Sequence, residues 1–174
     1  MNQTIHDLTT RRSVRAYTNQ MPSDEDIETI SKAGSYAPSG HGTQCPIVLA
    51  VTNKAMRDRM SRLNAQVMGT DSDPFYGAPV VLVVLVDMDT GLTPIEDGCL
   101  AMGNMLNAAH ALGLASCWIN RAREVFDSPE GKTILKELGI EGNYRGIGNC
   151  IVGYPAQQLP NPKPRKEDFI HWVK

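Results

Sequence analysis

Three guanidinium groups and a hydroxyl fall within five residues in Arg11-Arg12-Ser13-Val14-Arg15-Ala16-Tyr17, in a chain with a formal net charge of -2. Arginine presents planar, permanently charged donors that match phosphate oxygens in pairs, and a serine hydroxyl adds one more donor. A second basic knot, Lys163-Pro164-Arg165, lies near the other end, where prolines at 160, 162 and 164 favour an extended chain. The chemistry these residue types suit is capture of a phosphorylated small molecule, with both knots converging on it. The plainer reading is a solvated basic patch. Between the knots, Ser39-Gly40-His41-Gly42-Thr43-Gln44 is a polar loop whose imidazole could donate or relay a proton near neutrality.

Other chemistries lack their defining residues. No GxGxxG follows a strand pattern and no GxxxxGK[ST] occurs, so neither a dinucleotide fold nor a P-loop is signalled. No Ser-His-Asp or His-Cys pattern supports covalent catalysis. Asp71 and Asp73 have the spacing of a solvated turn, without the glycine and glutamate of a calcium loop. Cys45, Cys99, Cys117 and Cys150 form no CxxC pair, which leaves buried free thiols as the expectation and no metal ligand set. His110, inside an apolar helix pattern, reads as a satisfied core or interface histidine.

The elements that must position these groups follow from periodicity. Ile5 and Leu8 suggest a short helix delivering the arginines to a loop. Ser23 is placed to cap a second helix with Asp24, Glu25 and Asp26 in its first turn, ending before Pro38. Pro46 to Thr52 and Pro79 to Val86 are nearly unbroken apolar runs and read as strands covered on both faces. Between them, Asn53 caps a helix carrying Met56, Met60, Leu63 and Val67 on one stripe, and Gly69 to Gly77 reads as a mobile flap. Thr93-Pro94-Ile95-Glu96 has the pattern of a capping box opening a helix from about Pro94 to Leu112. That helix is apolar nearly all round, which suits a subunit interface. Leu114 to Ile119 and Ile147 to Tyr154 read as strands, and Ser128-Pro129 starts a short helix. Phe169, Ile170, Trp172 and Val173 make the last residues too apolar to float free, so a partner surface is expected for them.

At 174 residues with 41% hydrophobic content, the chain suits one domain, 1–174, with a real core. The near-neutral charge gives no field for nucleic acid or an anionic membrane, and the longest apolar run falls far short of the roughly 20 residues a bilayer span needs. The first residues have no signal-peptide pattern. The expectation is a cytoplasmic protein whose partners are small molecules.

In order along the chain, the arginine stretch 11 to 17, Ala37-Pro38-Ser39-Gly40-His41-Gly42-Thr43-Gln44, Ala108 through Ile119, Val152-Gly153-Tyr154-Pro155, and Lys163-Pro164-Arg165 with Ile170-His171-Trp172 resemble the nitroreductase-like family of FMN-dependent NAD(P)H oxidoreductases. The resemblance implies an α+β fold, a mixed sheet flanked by helices, in an intertwined homodimer with non-covalent FMN at the subunit interface. It places Arg11, Ser13 and Arg165, with Arg12, around the flavin phosphate and ribityl chain, and Arg15 and Lys163 nearer the ring as electrostatic stabilisers. Pro38, Ser39, Gly40 and Gln44 fall in the loop that the partner subunit lays against the ring, and Ile119 and Asn120 at its reactive edge. The implied activity is hydride transfer from NAD(P)H to flavin and then to a small-molecule acceptor such as a nitroaromatic or quinone, needing no side-chain nucleophile, with His41 the one candidate proton relay. Two relatives of this reading stay open: a flavin-processing or dehalogenating enzyme on the same fold, and a non-catalytic flavin-binding regulator. Two departures stand out, Gly42 where the family commonly has asparagine and a short 53–78 segment with little room for an insertion over the flavin.

Overall fold

The computed structural model describes residues 1–174. Its centre is β2 (Val80–Asp87), whose valines and leucines are all fully buried. Val81, Val83 and Leu85 pack with Met60, Leu63, Phe75, Phe126 and Ile134 on one face, while Val80, Leu82 and Val84 pack with Ile27, Ile30, Met102 and Met105 on the other. A strand's side chains alternate between faces, so an unbroken apolar run is what burial on both faces requires.

The sheet has the order β1-β2-β4-β3, with β1 spanning Pro46–Val51, β3 Ala115–Ile119 and β4 Tyr144–Gly153. All three ladders are antiparallel; the parallel component of the mixed sheet is a single bridge from Ser13 to Ser116. Unbroken apolar composition therefore reports two covered faces and says nothing of strand direction. A register shift opposite Val84 and Leu85 leaves Ile147 as an extra residue on β4.

The helices α2 (Asp24–Ser35) and α4 (Pro94–Ala111) cover one face, and α3 (Lys54–Met68), α5 (Ala122–Asp127) and α6 (Pro129–Glu137) cover the other. A short α1 (Gln3–Thr10) precedes them. Ser23, Asn53 and Ser128 cap α2, α3 and α6 as their positions predict, each accepting a first-turn backbone N–H. Thr93 departs from its expected capping box, since its hydroxyl donates to Asp97 rather than serving a backbone N–H, and Glu96 takes no part. The crossing of α2 and α4 is close enough that a Cβ on Gly34 would stand 2.8 Å from Met105 Cγ.

The 69–77 segment is pinned rather than free to act as a flap. Asp73 accepts from Arg57, from Ser61 at 2.6 Å, and from the Phe75 and Gly77 N–H groups at 2.9 and 2.8 Å. Arg57, 8% exposed, also donates to the Ala78 carbonyl and lies over the Phe75 ring. Burial opposes ionisation of Asp73, yet Arg57, Ser61 and the two N–H groups hold its carboxyl below the usual range. No helix is long and apolar enough to cross a membrane.

Candidate functional site

The arginine stretch is held by the sheet. Its residues alternate: Val14 is 3% exposed while Ser13 and Arg15 face outward. Val14 N–H donates to the Ser116 carbonyl at 3.1 Å, Thr18 N–H to Tyr154 and Ala156 N–H to Ala16, so residues 13–18 lie along the ends of β3 and β4. The Tyr17 hydroxyl donates to the Val14 carbonyl at 2.7 Å, and burial pushes its phenol far above the usual range. It is a packing residue beneath the stretch.

Two buried donors in this stretch, Arg11 Nη1 and Arg12 Nε, have no partner in the chain. Arg12 Nη1 is used on the Thr9 and Arg11 carbonyls. A buried unpaired guanidinium N–H is costly, and an anionic oxygen is the group that would satisfy it. Upstream, Thr10 Oγ1 donates to the His6 carbonyl at 2.7 Å and is therefore left to accept from His110 Nε2 at 2.9 Å, tying α1 to α4. Burial lowers the His110 pKa; Asp7 opposes this, and Arg11, His6 and Arg12 add to it.

The 38–44 loop lies elsewhere. His41 and Gln44 have left-handed backbones with φ of 53° and 52°, and Gly42 has 69°. Such conformations cost an L-residue on the order of 1–2 kcal/mol and need an anchor. The anchor is Asp97, 2% exposed in the first turn of α4. Its Oδ1 accepts from Gly40 N–H at 3.0 Å and from Thr93 Oγ1 at 2.9 Å, and its Oδ2 accepts from Cys45 Sγ at 3.4 Å. Ser39 Oγ in turn accepts from Gln44 N–H. Burial first, then the Asp97 carboxylate, raise the Cys45 thiol. Pro38, Ser39 and Gln44 border a cleft of about 460 Å³ that also meets Lys32, Ile47 and Ala101. His41 is exposed.

Ile119, buried, ends β3, and Asn120, exposed, follows it. Ser116 and Ile119 share that strand, so the arginine stretch and the Ile119–Asn120 turn stand ~10 Å apart. The 38–44 loop leads instead into β1, at the opposite edge of the sheet. Pro46 is level with Val86 and Arg145, whereas Ser116 is level with Val152 and Val80. Three strand spacings, ~14 Å, and a run of ~20 Å along the strands separate the two groups. One chain thus carries two candidate half-sites at diagonal corners. Lys163 and Arg165 join neither. They lie on an exposed tail that, beyond the Ala156 N–H, makes no hydrogen bond to the body, with Phe169, Trp172 and Val173 81%, 77% and 97% exposed.

Sequence reasoning passed over Asp97, Asn64 and Asn149. The first two carried a signal: each falls on its helix's inward stripe, Asp97 four before Ala101 and Asn64 four after Met60, where a polar residue needs a partner. Asn149 lies inside an apolar strand run.

The sequence profile of the Nitroreductase family matches residues 8–74 and 68–154. A protein of Archaeoglobus fulgidus with the provisional name NADH dehydrogenase/NAD(P)H nitroreductase is 31% identical over 163 residues, covering 91% of this chain and 88% of that protein. The FMN reductase [NAD(P)H] of Bacillus subtilis is 26% identical over 181 residues, covering 95% and 70%. Among solved structures, a nitroreductase with bound FMN from Bacteroides fragilis has 30% identity and a TM-score of 0.90, with both chains covered in full. Since the match runs through both half-sites and the fold superimposes end to end, the chain belongs to the nitroreductase family.

Proposed function

We propose that the protein is an FMN-dependent oxidoreductase that takes hydride from NAD(P)H and passes reducing equivalents to a small-molecule acceptor such as a nitroaromatic or quinone. One domain, residues 1–174, binds the flavin, and two copies complete each site. The observation that carries this reading is the pair of buried, unpartnered donors on Arg11 and Arg12 beside the exposed Ser13 hydroxyl. They suit a phosphate, and a mononucleotide laid along β3 from there reaches Ile119 and Asn120. When bound, FMN supplies the hydride-accepting and electron-transferring chemistry, which no side chain here provides. The chain's work is to hold the phosphate, keep the ring against Ile119 and Asn120, and bring positive charge from Arg15 and the tail's Lys163 to where reduction builds negative charge. His41, exposed on its loop, is placed to relay a proton to a bound acceptor.

The second copy is supported by three features. The 38–44 half-site is too far from the arginine stretch to reach the same ligand within one chain, so a partner's loop must supply it. The outer edge of β1 is unpaired, and the extended tail with five exposed large apolar side chains has no surface of its own to cover. On α4, Ile95 and Leu100 are 40% and 47% exposed, an apolar face suited to burial between subunits. In such an intertwined homodimer Arg165 of the partner's tail can approach the phosphate. A cytoplasmic location accords with NAD(P)H as donor.

The test is an absorbance spectrum of the purified protein, followed by anaerobic addition of NADH or NADPH. Flavin colour that bleaches on addition supports the oxidoreductase, colour that persists indicates a binder without this activity, and a protein that takes up no FMN refutes the reading.

A further inference from the structure

Asn64 on α3 and Asn149 on β4 are 1% and 3% exposed, and both are polar residues in apolar surroundings. A buried amide is costly unless bonded, and an apolar side chain of similar size would pack there without that cost. What the two amides hold is therefore informative. Asn64 Nδ2 donates to the Asn120 carbonyl at 2.8 Å, and Asn149 Nδ2 donates to the Ile119 carbonyl at 3.2 Å and to the Asn120 carbonyl at 3.4 Å. Arg121, held with φ of 74°, donates from Nε to Asn64 Oδ1 at 2.9 Å.

Two successive peptide planes, one at the last residue of β3 opposite Asn149 and one just beyond it, are thus gripped by side chains. Each is trans, so a carbonyl drawn inward turns the N–H of the same plane outward. Those N–H groups belong to Asn120 and Arg121, and neither makes a hydrogen bond within the chain. We infer that Asn64 and Asn149 are positioning residues: by gripping the Ile119 and Asn120 carbonyls they aim the Asn120 and Arg121 N–H donors at the reactive edge of the bound flavin. This rests on the flavin reading above. Donors fixed in advance stabilise charge that develops on reduction without reorganising at that moment.

Asn64→Asp keeps the acceptor for Arg121 but replaces the donor to Asn120 with a second acceptor; Asn149→Leu removes the other grip at similar volume. Each purified variant is compared with wild type for FMN affinity, flavin midpoint potential, anaerobic rate of reduction by NADH or NADPH, and melting temperature. The expected result is a lowered midpoint potential and reduction slowed by about ten- to a hundredfold, the loss that misplacement on the ångström scale produces. FMN affinity stays within about threefold, because the phosphate donors are remote. If both variants hold FMN with wild-type potential and reduction rate, whatever their melting temperatures, the assignment is overturned and the amides serve packing alone. Should either variant fail to fold, Asn64→Ser and Asn149→Ser, which shorten the donor, carry the same comparison. Wild-type protein that takes up no FMN would instead remove the flavin reading itself.

Discussion

Replacing Asp97 by alanine strands three donors at once, Gly40 N–H, the Thr93 hydroxyl and the Cys45 thiol. A buried polar group left unsatisfied costs about 1–3 kcal/mol. Gly40 is half-buried and Thr93 exposed, so water can rejoin both and their share falls at the low end; Cys45 is 4% exposed but a weak donor. Removing a buried carboxylate recovers part of its desolvation cost. The net loss is about 2–4 kcal/mol, which for a domain of this size lowers the melting temperature by roughly 5–15 °C. The loop then has less to hold His41 and Gln44 in left-handed conformations costing ~1–2 kcal/mol each, and it relaxes. FMN affinity falls with it, by about tenfold for each 1.4 kcal/mol spent on reordering the loop. Asp97→Asn retains the Oδ1 acceptor and loses about 1 kcal/mol. Thermal melts at matched protein concentration and FMN titration by fluorescence quenching measure both effects. Destabilisation of Asp97→Ala below about 0.5 kcal/mol, the range of neutral surface changes, with unaltered FMN affinity would refute the anchoring role.

Charge reversal at Arg11 weakens FMN retention by at least the 1.5–3 kcal/mol of about one charge-assisted hydrogen bond, measured by equilibrium dialysis, and unchanged affinity there and at Arg165 rejects the phosphate assignment. Arg57→Leu frees the 69–77 segment; because the Asp73 side chain is 35% exposed, the loss is discounted from the buried-pair range to about 1–3 kcal/mol, read by urea unfolding. Asp73 has a lowered folded pKa, so its contribution is present above the unfolded value near 3.9 and disappears as pH falls through the folded value; Asp73→Asn flattens the acid limb of the stability curve. His110 is also lowered, so the unfolded chain binds more protons near and below pH 6.5 and stability declines as pH drops through that region, a slope that His110→Gln reduces. Truncation after Pro155 removes the tail and is expected to abolish the dimer and FMN binding together, as judged by sedimentation and absorbance.

Local chemistry left a legible record in the chain. The caps at Ser23, Asn53 and Ser128 and the two-faced burial of β2 follow from spacing, because each depends on neighbours within a turn or a pleat. The arginine stretch was likewise visible, since three guanidiniums in five residues are unusual in a near-neutral chain. Strand direction was not, because covered faces demand the same apolar run in parallel and antiparallel sheets. Nor could spacing show that Asp73 meets Arg57, that Asp97 meets Gly40, or that Asn64 and Asn149 close on one carbonyl, since these pairs are made by packing between elements far apart in sequence. Composition and periodicity marked the apolar residues of β2 and most of those on the helix stripes, although Val67 of the α3 stripe is exposed; only the sheet order placed the two candidate half-sites at opposite corners, and it did so because β1 and β3 occupy opposite edges with their site ends pointing apart.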